Sequence, residues 1–436
     1  MTSRSFLLLQ GVATPFFAEL GKALTQANHR VLHINFCGGD LLSGNFFTTT
    51  KHHINYKGDL ASLADFYQET VKQHNITDIL LFGDTRPIHL PALAFAKEHN
   101  VRLYVFEEGY LRPNWITLDK GGVNANSSLS KDPKWYLNYL KANPSEAINS
   151  KPVSGGLAIR AWHDIHYHSA NLLLSKYFAN FQAHRPERAL KEYWGWVRRL
   201  PMLWFYYNKH SKKLITKLLS SNKPFYLLPL QLDADSQIRI HSPVKDLSEV
   251  ISKTIASFAL HAPQDALLVI KIHPLDPWFV NFPRVIKEAA QVYQVSEQRI
   301  IYLEAGDLVS LLKKAKGTVL VNSTVGTSAL SYDCPVIALG SAIYDMAGLT
   351  FQSSLDEFWT QAKGPDKTLF KAFQQAIIKK TQINGGYYNR KSIDMAVAGS
   401  LAYFEAEGIS IKNDKAMDEA FQNESLKNTQ QALSAK

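Results

Sequence analysis

Two adjacent glutamates, Glu107 and Glu108, occur where a predicted strand ends, within the segment Phe106–Pro113. The glycine that follows them allows the chain to turn sharply. Neighbouring carboxylates raise each other's pKa, and this can prepare one of them to act as a general base. The sequence therefore offers Glu107 or Glu108 as a base, with an ordinary solvated strand end as the alternative.

A second carboxylate pair, Asp233 and Asp235, follows the predicted strand Phe225–Pro229 within the segment Gln231–Gln237. Functional residues of parallel sheets lie beyond the carboxyl ends of strands, so a carboxylate here is expected to face a cleft between domains. In that position it can attack an anomeric carbon as a nucleophile. Two alternatives are that the pair binds a metal ion and that Asp235 or Ser236 caps a helix.

Lys271, His273 and Pro274 end another predicted strand, Leu267–Ile272. Lysine and histidine side chains can hold a phosphate group. Proline fixes the turn and restricts the backbone of the residue before it. This segment therefore predicts a phosphate contact at the carboxyl end of a strand.

Ser323 and Thr324 lie between the predicted strand Thr318–Val321 and a helix predicted over Thr327–Tyr332. Backbone amides at the start of a helix, together with serine and threonine hydroxyls, form an anion site that requires no metal. Ordinary helix capping by Ser323 or Thr324 is the alternative, and it is compatible with anion binding.

Short apolar strands alternate with helical stretches in two blocks of the chain, 1–155 and 223–408. Alternation of this kind predicts α/β domains with parallel sheets. The fold class is therefore α/β, with two Rossmann-like domains that face each other across a cleft. The intervening segment, 156–222, is rich in aromatic and basic residues and predicts helices packed on the N-terminal domain. The polar tail, 409–436, predicts a frayed helix or disorder.

The strands predicted in the two blocks are Ser5–Leu9, Val31–Phe36, Asp78–Phe82, Leu103–Phe106, Phe225–Pro229, Leu267–Ile272, Ile300–Leu303, Thr318–Val321 and Val336–Leu339.

Composition indicates a globular protein, because 46% of the 436 residues are hydrophobic and 20% are charged. The sequence shows neither a signal peptide nor an apolar run long enough to span a bilayer, so a cytoplasmic location is expected. Its two cysteines, Cys37 and Cys334, predict no disulfide framework or zinc site. No metal is expected elsewhere.

The net charge of +10 favours anionic partners, such as phosphorylated substrates or acidic lipid surfaces. Nucleic acid is disfavoured because no zinc finger, RNA-recognition signature or arginine-rich arm is present. Aromatic and basic residues in Trp194–Lys213 predict a peripheral contact with the inner membrane.

The motifs, in their order and spacing, resemble the capsule polysaccharide synthesis and export family, and within it the β-Kdo transferases of the KpsS type. The matching stretches are FEEGYLRP, PLQLDADSQIR, KIHP, VNSTVGTSAL, YDMAGLT with SLDEFW, and QINGGYYNR. They extend from Phe106 to Arg390, and the region Trp135–Asn222 contributes little to the resemblance.

The resemblance implies a GT-B-like architecture with an acceptor-side N-terminal domain and a donor-side C-terminal domain. It implies CMP-Kdo as the donor, a phosphatidylglycerol-type lipid acceptor, a retaining mechanism in capsule linker synthesis, and other capsule assembly proteins as partners. Asp235 is then the candidate nucleophile, and Glu107 or Glu108 acts near the acceptor hydroxyl. The residues expected to contact the donor are Lys271, His273, Pro274, Ser323, Thr324, Gln231, Gln237 and Arg112.

Two other functions agree with the sequence. One is a different enzyme on CMP- or nucleotide-sugars, such as a sialyltransferase or an epimerase, because the phosphate-binding features suit any such donor. The other is a non-catalytic adaptor or export component that binds a lipid-linked glycan. Replacing the cleft carboxylates distinguishes an enzyme from an adaptor.

Overall fold

The computed structural model describes residues 3–47, 52–144, 150–154, 156–182, 189–232 and 246–408. Within these ranges the strands form two sheets, one of seven strands and one of five. No helix in the described ranges is both long enough and apolar enough to cross a membrane.

The first sheet contains a parallel core with two antiparallel strands at one edge. Its strands are β1 (Ser5–Leu8), β2 (Arg30–Asn35), β3 (His53–Asn55), β4 (Asp78–Phe82), β5 (Arg102–Glu108), β6 (Trp115–Lys120) and β12 (Gln382–Asn384), in the order β12-β6-β5-β4-β1-β2-β3. The strands β1 to β5 pair in parallel. The sequence predicted four of these strands but not β3, which is only three residues long. The structure adds β6 antiparallel to β5, because the short connection after Glu108 leaves no room for a parallel crossover.

The second sheet is entirely parallel. Its strands are β7 (Phe225–Pro229), β8 (Leu267–Lys271), β9 (Ile300–Leu303), β10 (Gly317–Leu320) and β11 (Val336–Ala338), in the order β11-β10-β7-β8-β9. Successive side chains of a strand enter opposite faces, so Leu227 and Leu228 belong to different hydrophobic clusters. Both faces are covered, as expected for a parallel sheet.

Helices cover both sheets and connect their strands. They are α1 (Phe16–Gln26), α2 (Gly38–Phe47), α3 (Leu63–His74), α4 (Leu90–Glu98), α5 (Pro133–Ala142), α6 (Leu157–Leu173), α7 (Ala189–Met202), α8 (Asn208–Ser220), α9 (Leu247–His261), α10 (Phe282–Val292), α11 (Leu308–Leu312), α12 (Val325–Ser331), α13 (Leu355–Gln361), α14 (Lys367–Thr381) and α15 (390–408). A π-helical turn, Leu203–Tyr207, joins α7 to α8, and two short 3-10 helices cover Asn124–Asn126 and Glu297–Arg299.

The helical segment 156–222 is shared between the two domains. Helix α6 packs closely on α2, where a Cβ added to Gly38 would lie 2.2 Å from the carbonyl oxygen of Ala170. Helix α8 instead places Ile215 and Leu218 in the core of the second domain. Helix α6 therefore packs on the N-terminal domain, as predicted for the whole segment. Helix α8 does not, because its buried residues belong to the core of the second domain.

The chain returns to the first domain near its C-terminal end. Strand β12 pairs with β6, and Phe404 of α15 packs in the same cluster as Phe6 of β1. By sheet membership, the second domain therefore ends at Thr381 rather than at the predicted boundary of 408. The predicted α/β fold with two Rossmann-like, GT-B-like domains is confirmed.

Candidate active site

Three neighbouring strands of the second sheet end at the same edge, so the residues that follow them lie close together. Strand β7 lies between β10 and β8, and Gln231, Asn322 and Lys271 occupy adjacent carboxyl ends. Gln231 donates to Asn322 Oδ1 at 3.0 Å and accepts from the backbone amide of Asn322 at 3.2 Å. These two hydrogen bonds fix the loop after β7 relative to the loop after β10.

His273 lies just beyond β8 as a neutral hydrogen-bond donor. The backbone amide of Leu275 donates to His273 Nδ1 at 3.1 Å, so the proton of a neutral ring resides on Nε2. Burial first, and nearby positive charges second, lower the pKa of His273 to about 4. Those charges belong to Arg112, Lys271, Arg160 and Arg199.

The same cluster contains a buried lysine. Burial lowers the pKa of Lys271 to about 8, and the positive charge of Arg199 acts in the same direction. Among the described residues, no carboxylate forms an ion pair with Lys271 or Arg112. The charges of Arg112, Arg160, Lys271 and Arg199 all act on His273, where an anionic ligand would relieve their repulsion. The carboxylates of Asp307 and Glu304 act on Lys271 in the opposite direction.

Arg199 of α7 holds the loop that follows β8. Its side chain is fully buried and donates to the carbonyl oxygen of Pro274 at 3.1 Å and to that of Asp276. It also lies 3.8 Å from a carboxylate oxygen of Glu304. Sequence reasoning missed this role, because nothing local to Arg199 indicates that the loop packs against it.

The turn after β10 lies beside the loop after β7 at the same edge of the sheet. Ser323 Oγ accepts from the amide of Val325 at 3.2 Å, which is ordinary capping, whereas the Thr324 side chain makes no capping bond. Thr327 Oγ1 donates at 2.8 Å to the carbonyl oxygen of Tyr110 in the first domain. The predicted Ser323–Thr324 turn and the segment Phe106–Pro113 are therefore brought together.

Gly326 is required for this turn to pack. A Cβ added there would lie 2.2 Å from Tyr344 Cζ, and Tyr344 donates to the carbonyl oxygen of Ser323 at 2.5 Å. We expect Gly326→Ala to lower the free energy of unfolding by about 1–3 kcal/mol, because the buried tyrosine must move. Urea unfolding tests this, with Gly408→Ala as a control, since a Cβ at Gly408 meets no atom within 4 Å.

Glu107 and Glu108 end β5 and point to opposite faces of the first sheet. Glu107 Oε1 accepts from the amide of Glu108 at 2.9 Å, and its side chain is directed toward Gly83. Glu108 Oε1 instead accepts from the Tyr388 hydroxyl at 2.9 Å and lies 3.7 Å from Arg160 Nη1.

Arg160 connects Glu108 to the cationic cluster. Its guanidinium lies over the ring of Tyr388 at 4.9 Å, and its positive charge contributes to the lowered pKa of His273. Sequence reasoning missed both Arg160 and Tyr388. Tyr388 could have been found, because it lies in the stretch QINGGYYNR that contributes to the family resemblance.

The structure describes most of the predicted site residues, namely Glu107, Glu108, Arg112, Gln231, Lys271, His273, Pro274, Ser323 and Thr324. Arg112 and Lys271 act on His273, and Arg160 links this group to Glu108, whereas Glu107 points to the opposite face of the first sheet. Asp233, Asp235 and Gln237 lie outside the described residues, so the predictions for them stay predictions. Within the described ranges, no group of three or more histidine, cysteine, aspartate or glutamate side chains is arranged to hold a metal ion.

Two Rossmann-like domains with cations gathered around His273 define a two-domain α/β protein whose site suits an anionic ligand. A sequence model for capsule polysaccharide biosynthesis proteins matches residues 77–388. The chain therefore belongs to the capsule polysaccharide biosynthesis family, and the resemblance found in its motifs is confirmed.

Individual relatives agree with this assignment. The capsule polysaccharide export protein KpsS of Escherichia coli is 34% identical over 394 residues, covering 89% of this chain and 98% of that protein. The capsule polysaccharide modification protein LipB of Neisseria meningitidis serogroup B is 35% identical over 394 residues, covering 89% and 93%.

Solved structures show a more distant likeness. The β-Kdo 2,7 transferase KpsC of Thermosulfurimonas dismutans is 16% identical with a TM-score of 0.44, covering 92% of this chain and 99% of that one. A glycosyltransferase of Rickettsia africae is 13% identical with a TM-score of 0.37, covering 93% and 99%.

Proposed function

We propose that this protein is a retaining glycosyltransferase that moves Kdo from CMP-Kdo to a phosphatidylglycerol-type lipid during synthesis of a capsule linker. The observation that best supports a CMP-sugar donor is the convergence of Arg112, Arg160 and Lys271 on the neutral His273. The donor has a phosphate and a carboxylate, and both are anions that such a cluster attracts.

The donor phosphate is assigned to Lys271, His273 and Thr324. His273 offers an Nε2 proton, because Nδ1 already accepts from Leu275. Lys271 supplies positive charge at the end of β8 and neutralises the charge that develops on CMP as it leaves. These groups perform the electrostatic work of the leaving step, so the proposal requires no metal.

Glu108 is assigned as the general base rather than Glu107. Glu107 is engaged with the backbone amide of Glu108, whereas Glu108 is oriented by Tyr388 and lies beside Arg160. Arg160 is also one of the charges that act on His273, so its ion pair connects Glu108 to the proposed donor phosphate.

Retention follows from two successive inversions. The Asp235 carboxylate attacks the anomeric carbon, and the bond to the CMP oxygen breaks with its electron pair. The acceptor hydroxyl then attacks the same carbon while Glu108 takes its proton, and Asp235 leaves as a carboxylate. The choice of Asp235 over Asp233 comes from the resemblance, because both residues lie outside the described ranges.

The acceptor and its location are proposed from the same resemblance. A phosphatidylglycerol-type lipid is available at the cytoplasmic face of the inner membrane, where a protein can bind peripherally through aromatic and basic side chains. Association with other capsule assembly proteins is proposed on the same basis.

We expect purified protein, CMP-Kdo and a fluorescent phosphatidylglycerol analogue to give a lipid heavier by one Kdo in mass spectrometry. Asp235→Asn is expected to abolish this product, because an amide is too weak a nucleophile to form the sugar adduct. Asp233→Asn is the matched control, since it removes the same charge two residues away and is expected to keep the product.

The outcomes separate the alternatives. If Asp233→Asn abolishes the product and Asp235→Asn does not, the two aspartates exchange roles. If CMP is released without a lipid product, the acceptor is another glycolipid and the proposed lipid is wrong. If neither CMP release nor product occurs, the donor is a different nucleotide sugar or the protein is a non-catalytic export component.

A further inference from the structure

Helix α7 and the π-helical turn expose a row of large apolar side chains. Trp204 and Phe205 are each 81% exposed, far above what packing of a helix end requires. The other exposed members of the row are Trp194, Val197, Leu200, Met202 and Tyr206. Single exposed apolar residues are common, but a cluster of this size indicates an interaction surface. We call these seven residues the aromatic ridge.

The aromatic ridge is not needed to hold the helices in place. The buried residues of the same segment, Arg199, Ser211, Ile215 and Leu218, form a narrow stripe that packs on the second domain. Residues three and four positions apart share a helix face, so Trp194, Val197 and Trp204 lie on one side, away from Arg199. That side faces solvent.

The charged side chains in the stretch that carries the ridge are all positive, although Glu192 precedes it in α7. No aspartate or glutamate occurs between Trp194 and Leu232. The same stretch has seven basic residues: Arg198, Arg199, Lys209, Lys212, Lys213, Lys217 and Lys223. A second copy of this chain would present the same positive charge and be repelled, whereas an anionic lipid surface would be attracted.

The ridge is firmly attached to the proposed donor site. Arg199 binds the loop that follows β8, and a Cβ added to Gly195 would lie only 2.3 Å from the carbonyl oxygen of Pro277. Tyr207 packs edge-on against Trp278 with ring centroids 5.5 Å apart. Trp278 in turn donates to Glu304 Oε2 at 2.9 Å. The element that carries the ridge therefore also orients His273.

We propose that the aromatic ridge inserts into the headgroup layer of an anionic phospholipid bilayer, with Lys209, Lys212 and Lys213 contacting lipid phosphates. Tryptophan and phenylalanine flanked by lysine suit the interface between headgroups and acyl chains. Because α7 also holds the loop after β8, binding in this way keeps the cleft at the membrane surface. The inference concerns where the protein binds and holds whichever sugar it transfers.

Vesicle sedimentation tests the ridge, with neither donor nor acceptor sugar present. Vesicles of phosphatidylcholine with phosphatidylserine are preferred, because phosphatidylserine is not the proposed acceptor and excludes binding through the active site. We expect the protein to bind these vesicles, to bind phosphatidylcholine vesicles weakly, and to dissociate as salt is added.

Two variants divide the apolar and the charged contributions. Trp204→Glu with Phe205→Glu is expected to lower vesicle affinity at least about tenfold, because charged groups replace the inserting side chains. Lys209→Gln, Lys212→Gln and Lys213→Gln together are expected to lower it by about 100-fold, at about fivefold for each charge. Leu260→Glu and Val292→Glu are matched controls, since these residues are 77% and 72% exposed on α9 and α10.

Circular dichroism and urea unfolding show whether each variant is folded, because neither measurement depends on the identity of the donor. Vesicle binding that survives Trp204→Glu with Phe205→Glu would overturn the proposal. So would the absence of vesicle binding by the unmodified chain. If that chain instead self-associates in ultracentrifugation and the double variant does not, the ridge is a contact between copies and the lipid assignment is wrong.

Discussion

We expect Glu108→Gln to lower the rate of sugar transfer by about 10²- to 10⁴-fold, the range over which a general base contributes. Glutamine keeps the size of the side chain and can still accept from Tyr388, so the geometry at the end of β5 is retained. What is lost is the ability to take a proton from the acceptor hydroxyl. Single-turnover transfer measured at saturating donor isolates this step from donor binding.

Glu107→Gln is the matched control for this prediction. Its carboxylate faces Gly83 and accepts from a backbone amide, so its loss is expected to change transfer by less than about tenfold. CMP affinity is expected to stay within a few-fold in both variants. A larger effect at Glu107 than at Glu108 would reverse the assignment, and equal small effects would remove both residues from catalysis.

The sequence predicts the strands well where burial is complete. Strand β7 has the predicted bounds, and β8 ends one residue earlier than predicted. Both could be predicted because a short apolar run bounded by polar residues is typical of a buried strand. Strand β12 is three residues long, and it forms because it pairs with β6, which lies much earlier in the sequence. A segment that short has no periodicity by which it can be recognised.

The site is predictable only as far as its motifs are local. Lys271, His273 and Ser323 follow strand ends, so the rule for parallel sheets places them together. Tyr388 contacts Glu108 across 280 positions of sequence, and Arg199 reaches the carbonyl of Pro274 across 75. Such contacts depend on how helices α7 and α15 dock, and a single sequence does not encode that docking in any local pattern.

The second large effect is expected at Lys271, where binding and stability oppose each other. Burial, aided by Arg199, lowers the pKa of Lys271 from 10.5 to about 8, so its positive charge destabilises the folded protein. This difference in pKa lowers the free energy of unfolding by about 3 kcal/mol at neutral pH. We expect Lys271→Met to raise the free energy of unfolding by about 1–3 kcal/mol at pH 7, because an apolar chain of similar length occupies the same buried place.

The dependence on pH identifies the cause of this stabilisation. A lysine whose pKa is lowered by folding destabilises the protein fully below pH 8, and the penalty disappears as the pH rises from about 8 to 10.5. The unmodified protein should therefore approach the stability of Lys271→Met over that interval. Urea unfolding at pH 7 and pH 10 measures the convergence. A difference that does not change with pH would mean that packing, not charge, separates the two proteins.

The same substitution is expected to weaken CMP binding about 10- to 100-fold, the loss that follows removal of one charged hydrogen bond. Lys253→Met is the control, since Lys253 is an exposed lysine paired with Glu249 on α9 and should alter neither property appreciably. A more stable protein that binds CMP poorly would show that Lys271 is kept for its ligand at a cost to the fold. A less stable protein with unchanged CMP affinity would make Lys271 a structural residue and move the donor phosphate elsewhere in the cleft.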